Sequence, residues 1–173
     1  MKVQGALLSG LLLVSIPAAH GQGITDAQIA SIVVTANQVD IDAGKLAAAR
    51  ASNAQVKSFA QQMVTDHTGV NKAATELAAK LKVTPEGNST SQSLKAGGEK
   101  NVARLEKLQG AAFDKAYVDQ EVAYHQQVLE ALDKTLIPNA SNAELKALLV
   151  KVRPAFVAHL SHAKSVQAAT STH

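Results

Sequence analysis

Phe59-Ala-Gln-Gln-Met63-Val-Thr-Asp66-His67-Thr-Gly-Val70-Asn71 decides the fold class of this chain. Around it, apolar residues recur at Val56, Phe59, Met63, Val70, Ala74, Leu77 and Leu81, in steps of three and four with His67 filling the one gap. That is the period of one helix face. His67 therefore stands in the middle of an apolar stripe. A titratable ring in such a row costs free energy unless it finds a partner, so the stretch predicts a helix and a site together.

Three further segments take the same form. Thr25-Asp-Ala-Gln28 reads as a capping box, and a helix follows to about Ala51. Its stripe is Ile29, Val33, Ala36, Asp40, Ala43 and Ala47, with Asp40 as the polar member. Asp42 and Lys45 lie off the stripe, and Gly44 marks a close helix contact one turn on. Ser52-Asn53 supplies a cap and turn before the second helix, about Ala54 to Leu81. Thr84-Pro85 through Ser91 reads as a loop. The weaker pattern from Leu94 to Leu108, interrupted by Gly97-Gly98, reads as a short crossover helix.

A third long helix, about Ala112 to Leu136, carries Val118, Val122, His125, Leu129, Leu132 and Leu136, with Glu121 one turn before His125. Pro138 to Ser141 separates it from a fourth, with Ser141 or Asn142 as N-cap. That helix shows Leu145, Leu148, Val152, Phe156, His159, Ala163 and Val166 on one side. Pro154 lies inside it and is expected to kink it. The whole pattern predicts an all-α protein, an antiparallel four-helix bundle with the crossover helix between helices two and three.

Composition narrows the classes. The 173 residues suffice for one domain with a core, and the formal charge of +3 is spread along the chain. No basic run with interleaved aromatics appears, which argues against nucleic acid. Cysteine is absent, so thiolate metal sites and thiol redox chemistry are excluded. Lys2, the apolar run Leu7 to Ile16, Pro17 and Ala19-His20-Gly21 form a signal-peptide pattern over residues 1–21. The run is too short for a comfortable membrane span. The expected organisation is a removed leader, a helical bundle over 22–167, and a frayed tail over 168–173.

Asp40, His67, His125 and His159 each fall near the middle of a predicted helix. In an antiparallel bundle midpoints stay level, so the four are expected to meet in one layer. Three imidazoles and a carboxylate suit zinc, copper, iron or manganese. Glu121 adds a fifth ligand or holds a histidine, while Asp66 and Asn71 suit supporting or capping roles. The alternative is a hydrogen-bonded polar layer without metal, which fixes helix register and responds to pH. A heme or organic-ligand pocket is a further option for a bundle interior. His162 is expected at the surface. No nucleophile elbow, phosphate loop or Ser/His/Asp arrangement is present, so binding is favoured over catalysis.

The stretches Phe59-Ala-x-x-Met-Val-x-Asp-His67-Thr, Ala112-Phe-Asp114-x-Ala-Tyr117, Gln120-x-Val122-x-x-His125, and Pro154 with His159-Leu160 resemble the domain of unknown function 4142 family. The resemblance covers about Ile24 to Val166. It implies a ferritin-like helical bundle in a bacterial exported protein, of the periplasm or peripherally associated with the outer membrane. A ferritin-type di-iron site is not expected. Val64 stands where Glu-x-x-His spacing wants a carboxylate before His67, Glu121 and His125 are at i, i+4, and no acidic residue follows Glu144 in helix four.

Overall fold

The computed structural model describes residues 23–170; the expected leader over 1–21 and the last three residues of the tail lie outside them. The described chain is all-α: α1 (Asp26–Arg50), α2 (Ala54–Lys80), α3 (Ser89–Leu105), α4 (Gly110–Ala131), α5 (Ile137–Asn139) and α6 (Ala143–Thr170). No strand occurs among the described residues.

Local chemistry fixes the ends. Thr25 and Gln28 form the capping box of α1. The side chain of Asn53 accepts from Gln55 N and Val56 N at the start of α2. Asn142 does the same for α6, accepting from Glu144 N and Leu145 N. Each bond satisfies a backbone donor that the first helical turn leaves free.

Three details differ from the sequence reading. The expected loop ends early, because Asn88 and Ser91 build a capping box and α3 begins at Ser89. Serine and asparagine favour loops and helix starts alike. Between α4 and α5, residues Leu132–Leu136 form a π-helical turn closed by Ile137 N donating to Leu132 O. Pro138, which has no N–H, follows at once and sits at the start of α5. At the other end, α6 stays helical through Pro154 and on to Thr170, within the segment expected to fray.

Residue pairs give the helix directions. Gly44 lies against Ala60 and Val64 while Asn37 meets His67, so α1 and α2 run antiparallel. Gln62 meets His162, Asp66 meets His159 and Lys80 meets Glu144, so α2 and α6 are antiparallel. Asp119 meets Gln167 and Asp133 meets Arg153, which makes α4 and α6 antiparallel too. Ser52 with Asp114 and Ala36 with Tyr124 close the circuit between α1 and α4. By contrast α3 runs parallel to α1: Gln28 meets Asn88, Val39 meets Gly98, and Arg50 reaches the carbonyls of Glu106 and Leu108. The crossover helix therefore carries the chain back along α1 before α4 begins.

Two glycines permit the closest approaches. A Cβ at Gly44 would stand 2.9 Å from Val64 Cγ2, and one at Gly98 would stand 2.7 Å from Val39 Cγ2. The interior divides into two apolar clusters. One gathers Val56, Phe59, Met63, Phe113, Tyr117, Val118 and Ala163. The other gathers Ile29, Ile32, Val33, Leu136, Leu145, Leu149 and Phe156. Between them lies a polar layer.

Candidate metal centre

The layer contains Asn37 and Asp40 from α1, His67 from α2, Glu121 and His125 from α4, and His159 from α6, all buried. The helical stripes deliver them there. Each polar residue occupies an inward position of an otherwise apolar face, so burying the face buries the residue.

The three imidazole rings sit against one another, with centroids 5.6 Å apart for His67 and His125, 5.2 Å for His67 and His159, and 5.5 Å for His125 and His159. One nitrogen of each ring is already engaged. His67 Nδ1 is 2.7 Å from Asn37 Oδ1, and Asn37 Nδ2 donates to Val33 O, which turns its oxygen toward the ring. His125 Nδ1 is 3.0 Å from the carbonyl oxygen of Glu121. His159 Nε2 is 3.0 Å from Asp66 Oδ2. All three partners are acceptors, so the proton of each neutral ring lies on that nitrogen. The opposite nitrogens, His67 Nε2, His125 Nε2 and His159 Nδ1, keep their lone pairs and have no hydrogen-bond partner in the protein.

The carboxyl groups repeat the pattern. Neither oxygen of Asp40 has a hydrogen-bond partner, nor has Glu121 Oε2. Asp40 Oδ2 lies 3.3 Å from His67 Nε2 and 3.7 Å from His125 Nε2. Glu121 Oε2 lies 3.6 Å from His125 Nδ1. His67, His125 and His159 each bring a ligand atom within 4.8 Å of the others, and so do Asp40, Glu121 and His125. Ligand atoms at about 2.1 Å from a zinc ion stand roughly 3.4 Å apart across a tetrahedron.

Electrostatics agree with the geometry. Burial lowers His67 to about 2, with repulsion from His125 and His159 adding to it. Burial lowers His125 to about 4 against the opposing bond to the Glu121 carbonyl, and lowers His159 as well. The rings are neutral at pH 7, the form that coordinates metals. Burial raises Asp40 to about 8 and raises Glu121 well above the usual carboxylate range, with Asp40 adding to the effect. The close approach of His67 to Asp40 is therefore no ion pair in the metal-free protein: a neutral ring faces a mostly protonated acid.

A family model described as domain of unknown function (DUF4142) matches residues 14–166. The chain belongs to the DUF4142 family. The match spans all six residues of the layer. Neither the curated proteins nor the solved structures gave a match to this DUF4142 chain.

The five residues expected from sequence to meet fall into two groups that share His125: His67, His125 and His159 in one, and Asp40, Glu121 and His125 in the other. Asp66 supports His159, and His162 is exposed, bonded to Gln62. Sequence reasoning missed Asn37. Its signal was its place one turn before Asp40, a buried amide on the same face. Phe156, which packs on all three rings, was read only as core. The hydroxyl of Tyr117, one turn before Glu121, is likewise buried without a partner, and burial followed by Glu121 and Asp40 raises its pKa.

Proposed function

We propose that this DUF4142 protein binds one divalent transition-metal ion in the mid-layer, through His67, His125, His159 and Asp40, with Glu121 as a further ligand or a support. The observation that carries the reading is the set of unsatisfied lone pairs. Buried polar atoms are ordinarily hydrogen-bonded, and leaving one unpaired costs about 1–3 kcal/mol. Here five side chains leave such atoms pointing into one layer, while the far nitrogen of every histidine is held by an oxygen. That combination is the supporting shell of a metal-bound imidazole.

Charge selects the number of ions. One divalent cation balances the ionised carboxylates of Asp40 and Glu121, and the neutral rings add nothing. A second ion would leave two uncompensated positive charges in a buried layer, which is costly. Zinc, copper, iron and manganese all accept this donor set. A metal-free polar layer is less well supported: even with a protonated Asp40 donating to His67 Nε2 across 3.3 Å, it leaves His125 Nε2 and His159 Nδ1 without partners.

In the same reading α1, α2, α4 and α6 are the four members of a ferritin-like bundle with α3 as the crossover, a reading that their pairwise directions support. The protein is exported after removal of residues 1–21 and acts in the periplasm or at the envelope surface, in metal handling or protection from metal stress. No helix among the described residues is long and apolar enough to cross a membrane.

Elemental analysis of the tag-free protein beside His67→Ala tests the reading. Close to one ion per chain in the parent and almost none in the variant is the expected result. No metal in either, with no rise in melting temperature on adding zinc, copper, iron or manganese, would sink it.

A further inference from the structure

A pocket of about 330 Å3 opens between α1, α3 and α4, and its lining includes Asp40 and Glu121. It meets the layer from the carboxylate side. Thr90, Ser93, Asn101 and Gln120 supply hydroxyls and amides among apolar residues such as Val39 and Leu94, and the lining contains no lysine or arginine. Neutral oxygen donors leading to unsatisfied, buried carboxyl oxygens suit a hydrated cation and no anion. Size agrees: six water molecules at about 30 Å3 each occupy roughly 180 Å3, so a hexahydrated ion fits.

The opposite approach to the centre is less suited. There His159 presents its N–H to Asp66, and Gln62 also donates to that carboxylate. A cation arriving on that side meets an occupied carboxylate and the protonated edge of a ring.

We propose that the α1–α3–α4 pocket is the port through which a hydrated divalent cation reaches the histidines, with Asp40 and Glu121 replacing its water. The inference rests on the metal reading above and adds a route and a direction to it. It also gives α3 a role: the crossover helix forms the outer wall of the port, held against α1 by the close contact at Gly98.

Gly97 makes the test clean. It lines the pocket, and a Cβ there would meet nothing within 4 Å. Gly97→Phe therefore narrows the port without disturbing the core, and replacing a helical glycine favours the helix. Gly69→Phe is the matched control, since Gly69 also faces open space, on α2. Cobalt(II) loading is followed by stopped-flow absorption, and release by adding a chelator. The expected result is loading and release both slowed at least tenfold in Gly97→Phe, with unchanged affinity and full final occupancy. Gly69→Phe should match the parent. Ser93→Lys should also slow loading, more at low salt than at high. Loading of Gly97→Phe at the parent rate, or weaker affinity instead of slower exchange, overturns the port while leaving the metal centre standing. A parent that takes up no cobalt overturns the port, and the metal centre falls with it when zinc, copper, iron and manganese also fail to bind.

Discussion

Asp114 and Asp40 are both sealed inside the protein, at 3% and 1% exposure, yet they are held in opposite ways. Asp114 accepts from Ser52 N at 3.1 Å, Ser52 Oγ at 2.5 Å and Asn53 N at 2.8 Å, and so ties α4 to the α1–α2 turn. Asp40, half a helix away, accepts nothing. Burial of a carboxyl group thus marks neither structure nor function. What separates the two is whether the protein itself satisfies the oxygens. At the turn the bonds are complete and the carboxylate is part of the scaffold. In the mid-layer they are incomplete, and the acid is available to a ligand.

Removing the satisfied acid should have the largest effect. Asp114→Ala strands three donors at a half-buried turn, and the expected loss is about 3 kcal/mol of stability, the upper end for leaving such donors unpaired. Urea denaturation measures it. Added metal should not restore the lost stability, because Asp114 lies outside the centre. A loss under about 1 kcal/mol would mean that the bonds at this turn are replaced by water.

The next largest effect is linkage. A cation that binds only the folded chain should raise its stability by about 2.7 kcal/mol at a free concentration of a hundred times Kd. Asp114→Ala should retain that rise on its lower baseline. His67→Ala and Asp40→Asn should lose it. If all variants respond alike, the ion binds elsewhere and the contrast between the two aspartates has no functional content.

That contrast also explains what was legible beforehand. The stripes, Thr25 with Gln28, and the approach of Asp40 to His67 and His125 were readable because helical period and midpoint level are local quantities. Asp114 appeared only as part of a family motif, since its partners lie 61 and 62 residues away. No local pattern tells a satisfied aspartate from an unsatisfied one. The start of α3 at Ser89 was hidden for a different reason: Asn88 and Ser91 have loop composition, and only their reciprocal bonding makes them a cap. The π-helical turn before Pro138 was missed because Leu132 and Leu136 are spaced as in an α-helix.

Smaller effects should come from residues that orient the rings. Asn37 fixes His67 and is itself buried, so Asn37→Ala is expected to weaken metal affinity about 10- to 100-fold. Asp66 holds His159 from a side chain that is 40% exposed. Water substitutes more readily there, and Asp66→Asn should stay at or below the lower end of that range. Competition titration with a chelator reads both. Equal, negligible losses would show that the histidines orient themselves by packing alone, chiefly on Phe156.

The smallest change in stability is expected for Asp40→Asn in metal-free protein near pH 6, and its pH profile is the sharpest test of the comparison. The folded pKa values of His67 and His125 lie at about 2 and about 4, below the ordinary 6.5, and His159 shifts the same way. Protons are then taken up by the unfolded chain first, so stability is lost as pH falls below about 6.5. Asp40 is raised from 3.8 to about 8, and Glu121 moves in the same direction. The folded chain keeps those protons while the unfolded chain releases them, so stability is lost as pH rises through the same range and on to about 8. Three imidazoles outweigh two carboxyl groups on the acid side, and above pH 6.5 only the carboxyl groups still act. Metal-free parent should therefore be most stable near about pH 6 and weaken toward pH 8. Asp40→Asn replaces a protonated acid by a neutral amide of the same shape, so at pH 6 it should lie within about 1 kcal/mol of the parent. Above pH 6.5 its decline should be shallower. Saturating metal should abolish the decline in the parent, because the bound ion needs the ionised acid. An equally steep fall in parent and variant would mean that Asp40 ionises freely inside the fold, and the distinction between scaffold and site would have to be drawn elsewhere.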